Sequence, residues 1–327
     1  MNTATDKTRS ISVVIVNYNA GAILTECVRS VLGSTLPVRV FVSDNGSSDY
    51  SLSYLRAVLG AHPRLTIVEN DGNLGFARGN NVVLPQCDGD YVLFLNPDCL
   101  IGPQTLEQML AVMERHPEAG MAGCLVLNPD GSEQLGCRRY VPTPWRSMVR
   151  VLRLHRLIRN HPRFQSFSMT GMPLPAEPAP VEALSGAFMF VRRRAIDEIG
   201  AMDDGYFLHC EDLDWCMRFS AAGWKILFVP HVRVVHWKGM SSRTHPVKVE
   251  FHKHRGMVRF YRKFFRHQYP GLLMAAVVVA VWVRFFLKSA WILLRMPLHM
   301  PRAPLTAVSR GRSSRAGVNA IRSRWSG

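Results

Sequence analysis

The sequence predicts an α/β fold in which a mostly parallel sheet is flanked by helices. Short runs of β-branched and aromatic residues are apolar on both faces, as in strands buried between two helix layers. These runs alternate with segments of helical periodicity, which favours right-handed crossovers between parallel strands. With 327 residues and 47% hydrophobic content, the chain can form one large domain and an appendage.

The predicted elements follow one another in a regular order. Strands are predicted at residues 11–16, 38–42, 65–68, 91–95 and 121–127, and again at 187–191, 226–229 and 232–237. Helices are predicted between the first strands, at residues 22–32, 50–59, 76–84 and 103–115. Ligands of such sheets bind beyond the carboxyl ends of the strands, where this chain places Asn, Asp, Ser and Gly.

Two segments do not follow this pattern. Residues 138–180 are rich in proline and begin with a block of eight arginines without an acid, so they are predicted to form a basic insertion. Residues 244–296 are predicted to form a basic amphipathic helix, which suits a membrane surface, and then an apolar helix. The uncharged run 272–283 is too short to span a bilayer, so an interfacial or re-entrant helix is favoured over a span. Residues 297–327 are predicted to be a disordered basic tail.

Charge and cysteine content predict a protein at the cytoplasmic face of a membrane. The formal net charge is +16, and Glu250 is the only acid after residue 240, so the excess lies in the C-terminal quarter. This distribution suits an anionic membrane surface better than nucleic acid. Seven scattered cysteines without zinc-type spacing indicate reduced thiols. Residues 1–10 are polar and show no signal peptide.

A cluster of three acids, Glu211, Asp212 and Asp214, stands between apolar residues. Neighbouring carboxylates repel one another, so such a cluster is typical of a metal site, a site for a cationic partner or a general base. The alternative is structural, because acids favour the first turn of a helix. On that interpretation Asp214 starts a helix and pairs with Arg218 one turn later.

Further polar motifs follow the predicted strands. Asp44, at the start of residues 44–49, can accept hydrogen bonds from a base or a sugar, or can form an Asx turn. The Gly/Asn loop 73–81 lets the backbone approach a nucleotide. Asp98 follows an apolar strand and can hold a divalent cation together with substrate phosphates. The sequence contains neither GxGxxG after the first strand nor GxxxxGK[ST], which argues against Rossmann dehydrogenases and P-loop enzymes.

Six motifs together resemble those of the family 2 inverting glycosyltransferases, in the rhamnosyltransferase-like branch. They stand in the family's order over roughly residues 10–243 and comprise Val13-Val-Ile-Val-Asn-Tyr-Asn19, Asp44-Asn-Gly-Ser-Ser-Asp49, Asn73-Leu-Gly-Phe76, Asn96-Pro-Asp98, Ser185-Gly-Ala187 and Glu211-Asp212. The resemblance implies a GT-A fold. Its nucleotide-sugar-binding half would cover residues 11–127, and its acceptor-binding, catalytic half would cover residues 181–243.

The resemblance also implies the roles of particular residues. Asp212 corresponds to the catalytic base, with Glu211 beside it. Asp98 and His236 would bind Mg²⁺ or Mn²⁺, although Asn96 replaces the first acid of the family's DXD-like element. The residues expected to bind the donor are Asn17, Asn19, Asp44, Asn73, Gly75, Phe76 and Asn96. Those expected to bind the acceptor are Ser185, Gly186 and Trp237.

The predicted reaction is a metal-dependent, inverting transfer of a hexose from a nucleotide-sugar to a hydroxyl of a polyprenyl-diphosphate-linked saccharide, in cell-envelope polysaccharide synthesis. From the resemblance alone, the first candidate donor is dTDP-L-rhamnose, and a UDP-hexose or a galactofuranose donor is the alternative. A processive synthase is disfavoured, because the QxxRW element and several spanning helices are missing. A non-catalytic membrane- or RNA-binding protein is disfavoured by the presence of Asp44, Asp98 and Asp212.

Overall fold

The structure, a computed structural model, describes residues 9–154, 161–164, 166–237 and 245–295. The predicted basic tail at 297–327 and most of the polar segment 1–10 lie outside the described residues. The predicted domain boundary near residues 243 and 244 also lies outside them.

The first part of the chain forms the parallel half of the main sheet. Strands and helices alternate as predicted, to within two residues at each end: β1 (Ile11–Asn17), α1 (Ile23–Leu32), β2 (Val38–Asp44), α2 (Ser51–Leu59), β3 (Leu65–Glu69), α3 (Phe76–Val83) and β4 (Tyr91–Leu95). These strands lie in the order β3-β2-β1-β4 and are all parallel. The register places Asn17 beside Asp44 at the carboxyl edge of the sheet.

The second part completes the sheet with strands of both directions. Its elements are β5 (Cys99–Leu100), α4 (Thr105–Arg115), β6 (Ala119–Leu127), β7 (Arg138–Arg139), α5 (Pro144–Val151), β8 (Ala179–Pro180), β9 (Ala183–Leu184), β10 (Phe188–Arg192), α6 (Arg193–Ile199), α7 (Glu211–Ala221) and β11 (Lys225–His236). β10 lies between β4 and β6 and is antiparallel to both. β11 is one strand where two were predicted, because the register shift between Val229 and Arg233 is a bulge rather than a break. The predicted fold class is confirmed.

Helix α7 carries the three clustered acids in its first turn. It begins at Glu211, and Asp214 lies in its first turn, as expected for an acid at the start of a helix. The chain turns just before the acids at His209 and Cys210, whose φ angles are 68° and 73°. The predicted pair of Asp214 with Arg218 is confirmed at 2.8 Å.

Residues of α7 that face the sheet anchor it firmly. Trp215 is fully buried and packs edge to face on Phe94 of β4, with 5.1 Å between ring centroids. Its indole N–H donates to the carbonyl of Gly200 at 3.0 Å. The sheet therefore fixes the position of the acidic first turn. All seven cysteines are buried and free, as expected for reduced thiols.

The basic insertion is partly built into the protein. Arg138 is buried, pairs with Glu133 at 3.0 Å and donates to the carbonyls of Met172 and Pro173. β7 pairs with β9 in a small second sheet. Helix α5 begins where the Thr143 side chain accepts a hydrogen bond from the Arg146 amide, and it leaves several apolar residues at the surface: Trp145, Met148 and Val151.

The predicted amphipathic helix is α8 (Pro246–Phe265). Three residues of its apolar stripe, Val258, Tyr261 and Phe265, are buried in the hydrophobic core. Its Gly256 lies so close to the preceding domain that a Cβ there would be 2.8 Å from the carbonyl oxygen of His209. The prediction that this stripe faces a membrane is therefore wrong, because the stripe packs within the protein.

The predicted apolar helix is α9 (Gly271–Arg295), a continuous helix of 25 residues with a mean hydropathy of 2.0 over its most apolar window. By length and composition it could cross a membrane. It runs antiparallel to α8, because Phe251 contacts Phe285 while Glu250 forms an ion pair with Lys288. The other side of α9 exposes large apolar residues: Leu272, Val279, Val283, Phe286, Leu287, Trp291 and Leu294.

Candidate active site

A cavity of about 330 Å³ opens at the carboxyl edge of the main sheet. Its wall combines residues that follow β1, β2 and β4 with residues from the first turns of α7 and α8. Most of the site residues predicted from the sequence meet there: Asn73, Gly75, Phe76, Asn96, Asp98, Ser185, Gly186, Glu211, Asp212 and His236.

Asp98 and His236 form a buried pair in this wall. His236 Nε2 lies 3.0 Å from Asp98 Oδ1 and 3.1 Å from the side-chain amide of Asn96. On the other side of the ring, His236 Nδ1 lies 2.6 Å from Gln134 Oε1. The orientation of the Gln134 amide is fixed, because its nitrogen donates to Asn128 Oδ1 and to the His236 carbonyl. His236 Nδ1 therefore carries a proton, and in the neutral ring Nε2 presents a lone pair.

This arrangement fits a divalent cation. His236 Nε2 and the Asp98 carboxylate face the same space, as two ligands of one cation would. Among the described residues, no group of three or more His, Cys, Asp and Glu side chains could hold a metal unaided. Mg²⁺ and related ions are commonly held by one or two protein ligands plus substrate phosphates. The pair can therefore supply the protein's share of such a site.

Asp212 lies on the α7 side of the cavity with about 13% of its side chain exposed. Its Oδ2 forms an ion pair with Arg139 and accepts a hydrogen bond from the Gly186 amide at 3.2 Å. Its Oδ1 accepts one from the Leu213 amide at 2.8 Å. Although burial alone would lower the pKa of Arg139, the Asp212 carboxylate raises it. Asp212 is thus a held but accessible carboxylate, as a general base requires.

Glu211, the neighbouring acid, has a different environment. The residue is 5% exposed, and its Oε2 is buried without a hydrogen-bond partner among the described residues. Burial, reinforced by the charge of Asp212, raises the pKa of Glu211 to about 8. Glu211 therefore keeps its proton to higher pH than a free glutamate does, and Asp212 is the more exposed and better hydrogen-bonded of the two carboxyl groups.

Gly75 joins the two halves of the site. Its φ of 83° is one that side chains rarely adopt, and a Cβ there would lie 2.3 Å from the carbonyl oxygen of Phe207. That carbonyl accepts a hydrogen bond from the Phe76 amide at 2.8 Å. The loop that opens α3 is thereby tied to the loop that precedes α7, and only glycine permits this approach.

Three predicted donor-binding residues lie beside the cavity rather than in its wall. The Asn17 side chain is fully buried and donates to Asp44 Oδ1 at 2.7 Å. Asp44 also accepts from the amide and hydroxyl of Ser47. Asn19 Oδ1 accepts from the Ser48 amide. The Asn17 side-chain amide is used inside the protein, and the expectation that the backbone near Asn17 and Asn19 lines the nucleotide pocket stays a prediction. Asn45, the residue after Asp44, lines the cavity instead.

Two of the three predicted acceptor-binding residues line the cavity, and the third does not. Ser185 and Gly186 line the cavity, and Gly186 contacts the proposed base through its amide. Trp237 does not line it; its backbone N–H donates to the carbonyl of Asp98 at 2.9 Å. The backbone of Trp237 thus holds the backbone of Asp98 in place, and the assignment of Trp237 as an acceptor contact stays a prediction.

Several wall residues were missed from the sequence. Arg139 and Gln134 hold Asp212 and His236, respectively. The first turns of α8 add Lys248 and His252, and the His252 ring stacks on Phe207 with 4.1 Å between centroids. Only Arg139 had a signal in the sequence, as part of the acid-free arginine block. The others stand in no motif.

The sheet, its carboxylate and histidine pair and the separate accessible acid define a glycosyltransferase of the GT-A fold. The family model for glycosyl transferase family 2 matches residues 12–200, which is more than half of the chain. The chain belongs to this family.

Relatives in sequence agree with this assignment. The chain is 30% identical over 248 residues to the N-acetylglucosaminyl-diphospho-decaprenol L-rhamnosyltransferase of Mycobacterium tuberculosis, covering 72% of this chain and 78% of the relative. It is 27% identical over 180 residues to rhamnosyltransferase WbbL of Escherichia coli K12, covering 53% and 64%. The rhamnosyltransferase-like branch predicted from the motifs is confirmed.

Solved structures confirm the fold. The mannosyltransferase PcManGT from Pyrobaculum calidifontis, in complex with GDP-Man and Mn²⁺, has a TM-score of 0.56 at 17% identity and covers 88% of this chain and 73% of its own. GalNAc-T7 with UDP, GalNAc and Mn²⁺ has a TM-score of 0.53 at 18% identity, with 76% and 51% covered. At these identities the likeness concerns the fold alone.

Proposed function

We propose that this protein transfers L-rhamnose from dTDP-rhamnose, with inversion, to a hydroxyl of a saccharide linked to a polyprenyl diphosphate. The observation that carries the proposal is the cavity itself, where an accessible acid, Asp212, shares one wall with the pair of Asp98 and His236. The donor and acceptor classes are supported by the Mycobacterium tuberculosis relative, whose name gives both an L-rhamnosyl group and a diphospho-decaprenol.

The reaction is a single in-line displacement at the anomeric carbon. Asp212 accepts the proton of the acceptor hydroxyl while that oxygen bonds to the anomeric carbon and the bond to the diphosphate oxygen breaks. Arg139 and the Gly186 amide hold the Asp212 carboxylate in the wall during this step. A positioned general base contributes about 10²- to 10⁴-fold in rate.

Asp98 and His236 would hold Mg²⁺ or Mn²⁺, with Gln134 fixing the histidine ring. A bound divalent cation would neutralise the charge that develops on the departing nucleoside diphosphate, an effect of several kcal/mol. The Asn96 side-chain amide, 3.1 Å from His236 Nε2, helps to hold that ring in place. Asp44, Asn73, Gly75 and Phe76 are proposed to bind the nucleotide-sugar.

The lipid-linked acceptor places the reaction at a membrane, which we infer to be the cytoplasmic face. The support is the exposed apolar side of α9, together with the apolar residues that α5 presents to solvent. Because α9 lies along α8 rather than projecting from the domain, an interfacial helix is favoured over a span. A nucleic-acid partner is not part of the proposal.

A donor panel tests the reaction. The full chain is incubated with dTDP-rhamnose, a UDP-hexose or UDP-galactofuranose, with Mn²⁺ and with or without N-acetylglucosaminyl-diphospho-polyprenol, and release of nucleoside diphosphate is measured. We expect release only with dTDP-rhamnose and only in the presence of the acceptor. Release with another donor would replace the proposed sugar, and no release with any donor would contradict the proposed reaction.

A further inference from the structure

A second cavity, of about 520 Å³, is lined by residues of α8, by Trp282 of α9 and by Gly205 of the loop that precedes α7. Four basic side chains line it: Arg255, Arg259, Arg262 and Lys263. The rest of its wall is Gly205, Val258 and Trp282. Because Trp282 belongs to α9, the cavity is a groove between the α8–α9 hairpin and the domain. We call it the basic groove.

Two of the four cations are already neutralised by the protein. Arg259 donates to both carboxylate oxygens of Asp203, at 2.8 and 3.0 Å. Lys263 lies 2.7 Å from the same carboxylate and 2.6 Å from Asp214. These pairs fix α8 to the domain and build one wall of the groove.

The other two cations are unpaired. Arg255 and Arg262 are exposed, and within the described ranges no carboxylate lies within 4 Å of either guanidinium. They stand seven residues apart on one helix, so they lie on the same side, two turns apart. A groove with two free guanidinium groups attracts an anion, and arginine forks match phosphate oxygens in particular.

We propose that the basic groove binds the phosphate headgroup of an anionic phospholipid. The site is distinct from the active-site cavity, and the inference rests on the membrane association proposed above. The positive charge of the groove favours a phosphate. A lipid phosphate is favoured in particular, because Trp282 in the groove wall belongs to the helix that exposes the apolar residues Val279, Val283 and Phe286 to solvent. An amphiphile can place its phosphate between Arg255 and Arg262 and its acyl chains along α9.

The groove also gives the membrane a fixed position relative to catalysis. Lys263 in its wall pairs with Asp214, two residues after Asp212 on α7. A bilayer docked at the groove therefore lies at a set distance from the helix that carries the base, which suits an acceptor whose lipid stays in the membrane.

The test compares two double variants that lose the same charge. Arg255→Gln/Arg262→Gln removes the free cations of the groove, whereas Arg29→Gln/Arg115→Gln removes two exposed arginines from α1 and α4. Flotation is measured with phosphatidylcholine vesicles with and without phosphatidylglycerol. We expect the groove variant to lose about 10- to 30-fold in partitioning onto phosphatidylglycerol vesicles, since each basic residue near an anionic surface contributes up to about fivefold. The control should bind nearly as the unsubstituted protein does.

Equal losses in both variants would show that net charge alone drives binding, and would overturn the groove. The proposal would also be overturned if a low concentration of inorganic phosphate abolished vesicle binding by the wild-type chain, because the groove would then prefer a free anion to a lipid headgroup. Nucleoside diphosphate release with a short-chain, water-soluble acceptor is measured in parallel. If transfer persists while vesicle binding shows no dependence on the groove, this inference fails and the proposed reaction stands.

Discussion

Glu211 and Asp212 are adjacent in sequence but differ in environment, and this difference assigns their roles. Asp212 is held by a guanidinium and two backbone amides. Glu211 is buried beside it with an oxygen that has no partner within the described structure. Two carboxylates side by side are stable only if one of them keeps its proton, and burial selects Glu211.

Replacing Glu211 should therefore change how stability depends on pH. In the unfolded chain a glutamate loses its proton near pH 4.3, whereas in the folded protein Glu211 keeps it up to about pH 8. Between these values the folded state binds the extra proton, so the free energy of unfolding falls as the pH rises. Glu211→Gln cannot ionise. We expect it to gain stability relative to wild type from about pH 5 to about pH 8, by at most about 1.4 kcal/mol per pH unit, in urea unfolding.

The matched control is Glu177→Gln, at an exposed position. The free energy of unfolding of this control should change with pH as that of the wild type does over the same range. A constant offset between Glu211→Gln and wild type, or a gain toward low pH, would contradict a buried, protonated Glu211.

At this scale the sequence predicted the residues that belong to short motifs. Asp98, Asp212 and Gly75 follow strands or open helices, and their neighbours in sequence mark them. Gln134 and His236 are 102 residues apart, and their 2.6 Å contact exists only because β6 and β11 pair in the sheet. No local pattern predicts such a contact, since it depends on the register of the completed sheet.

Helix α8 shows what the sequence could and could not predict about a whole secondary-structure element. Its period correctly predicted one apolar face, because amphipathicity reports that a face is buried. Amphipathicity does not show whether the protein or a membrane covers that face. Because basic residues flank the face, a membrane was predicted. In the structure two of its basic residues, Arg259 and Lys263, hold the helix to the domain. Burial alone would raise the pKa of Asp203, but hydrogen bonds from Lys263 and Arg259 lower this pKa to about 2.

Lys263→Met should therefore destabilise the whole fold. The substitution leaves the fully buried Asp214 with Arg218 as its remaining ion-pair partner among the described residues. Removing one partner of a buried pair costs about 3–5 kcal/mol, and because Lys263 is about one-third exposed we expect a loss at or below the lower end of that range. Chemical denaturation gives the value. The matched control is Lys225→Met, whose pair with Glu118 is at the surface and should matter little. Equal effects of the two substitutions would mean that α8 is not fixed through Lys263.

The whole molecule has an active site shared by three parts of the chain. The parallel half of the sheet supplies the proposed donor side, α7 supplies the acids, and α8 adds a third wall and leads into α9. The alternation of strands and helices predicted the first two parts, and the ordered motifs predicted the family. The third was not predicted, because a membrane-facing helix and a wall-forming helix have the same sequence pattern.

The most direct test of the account is acceptor-dependent release of dTDP from dTDP-rhamnose by the Asp212→Asn chain. We expect turnover to fall by at least about 10²-fold, the contribution of a general base. Donor with Mn²⁺ should still raise the melting temperature, because binding to the folded state persists. Asp130→Asn, in an exposed loop, should turn over as wild type does. Wild-type-like turnover by Asp212→Asn would contradict its role as the base.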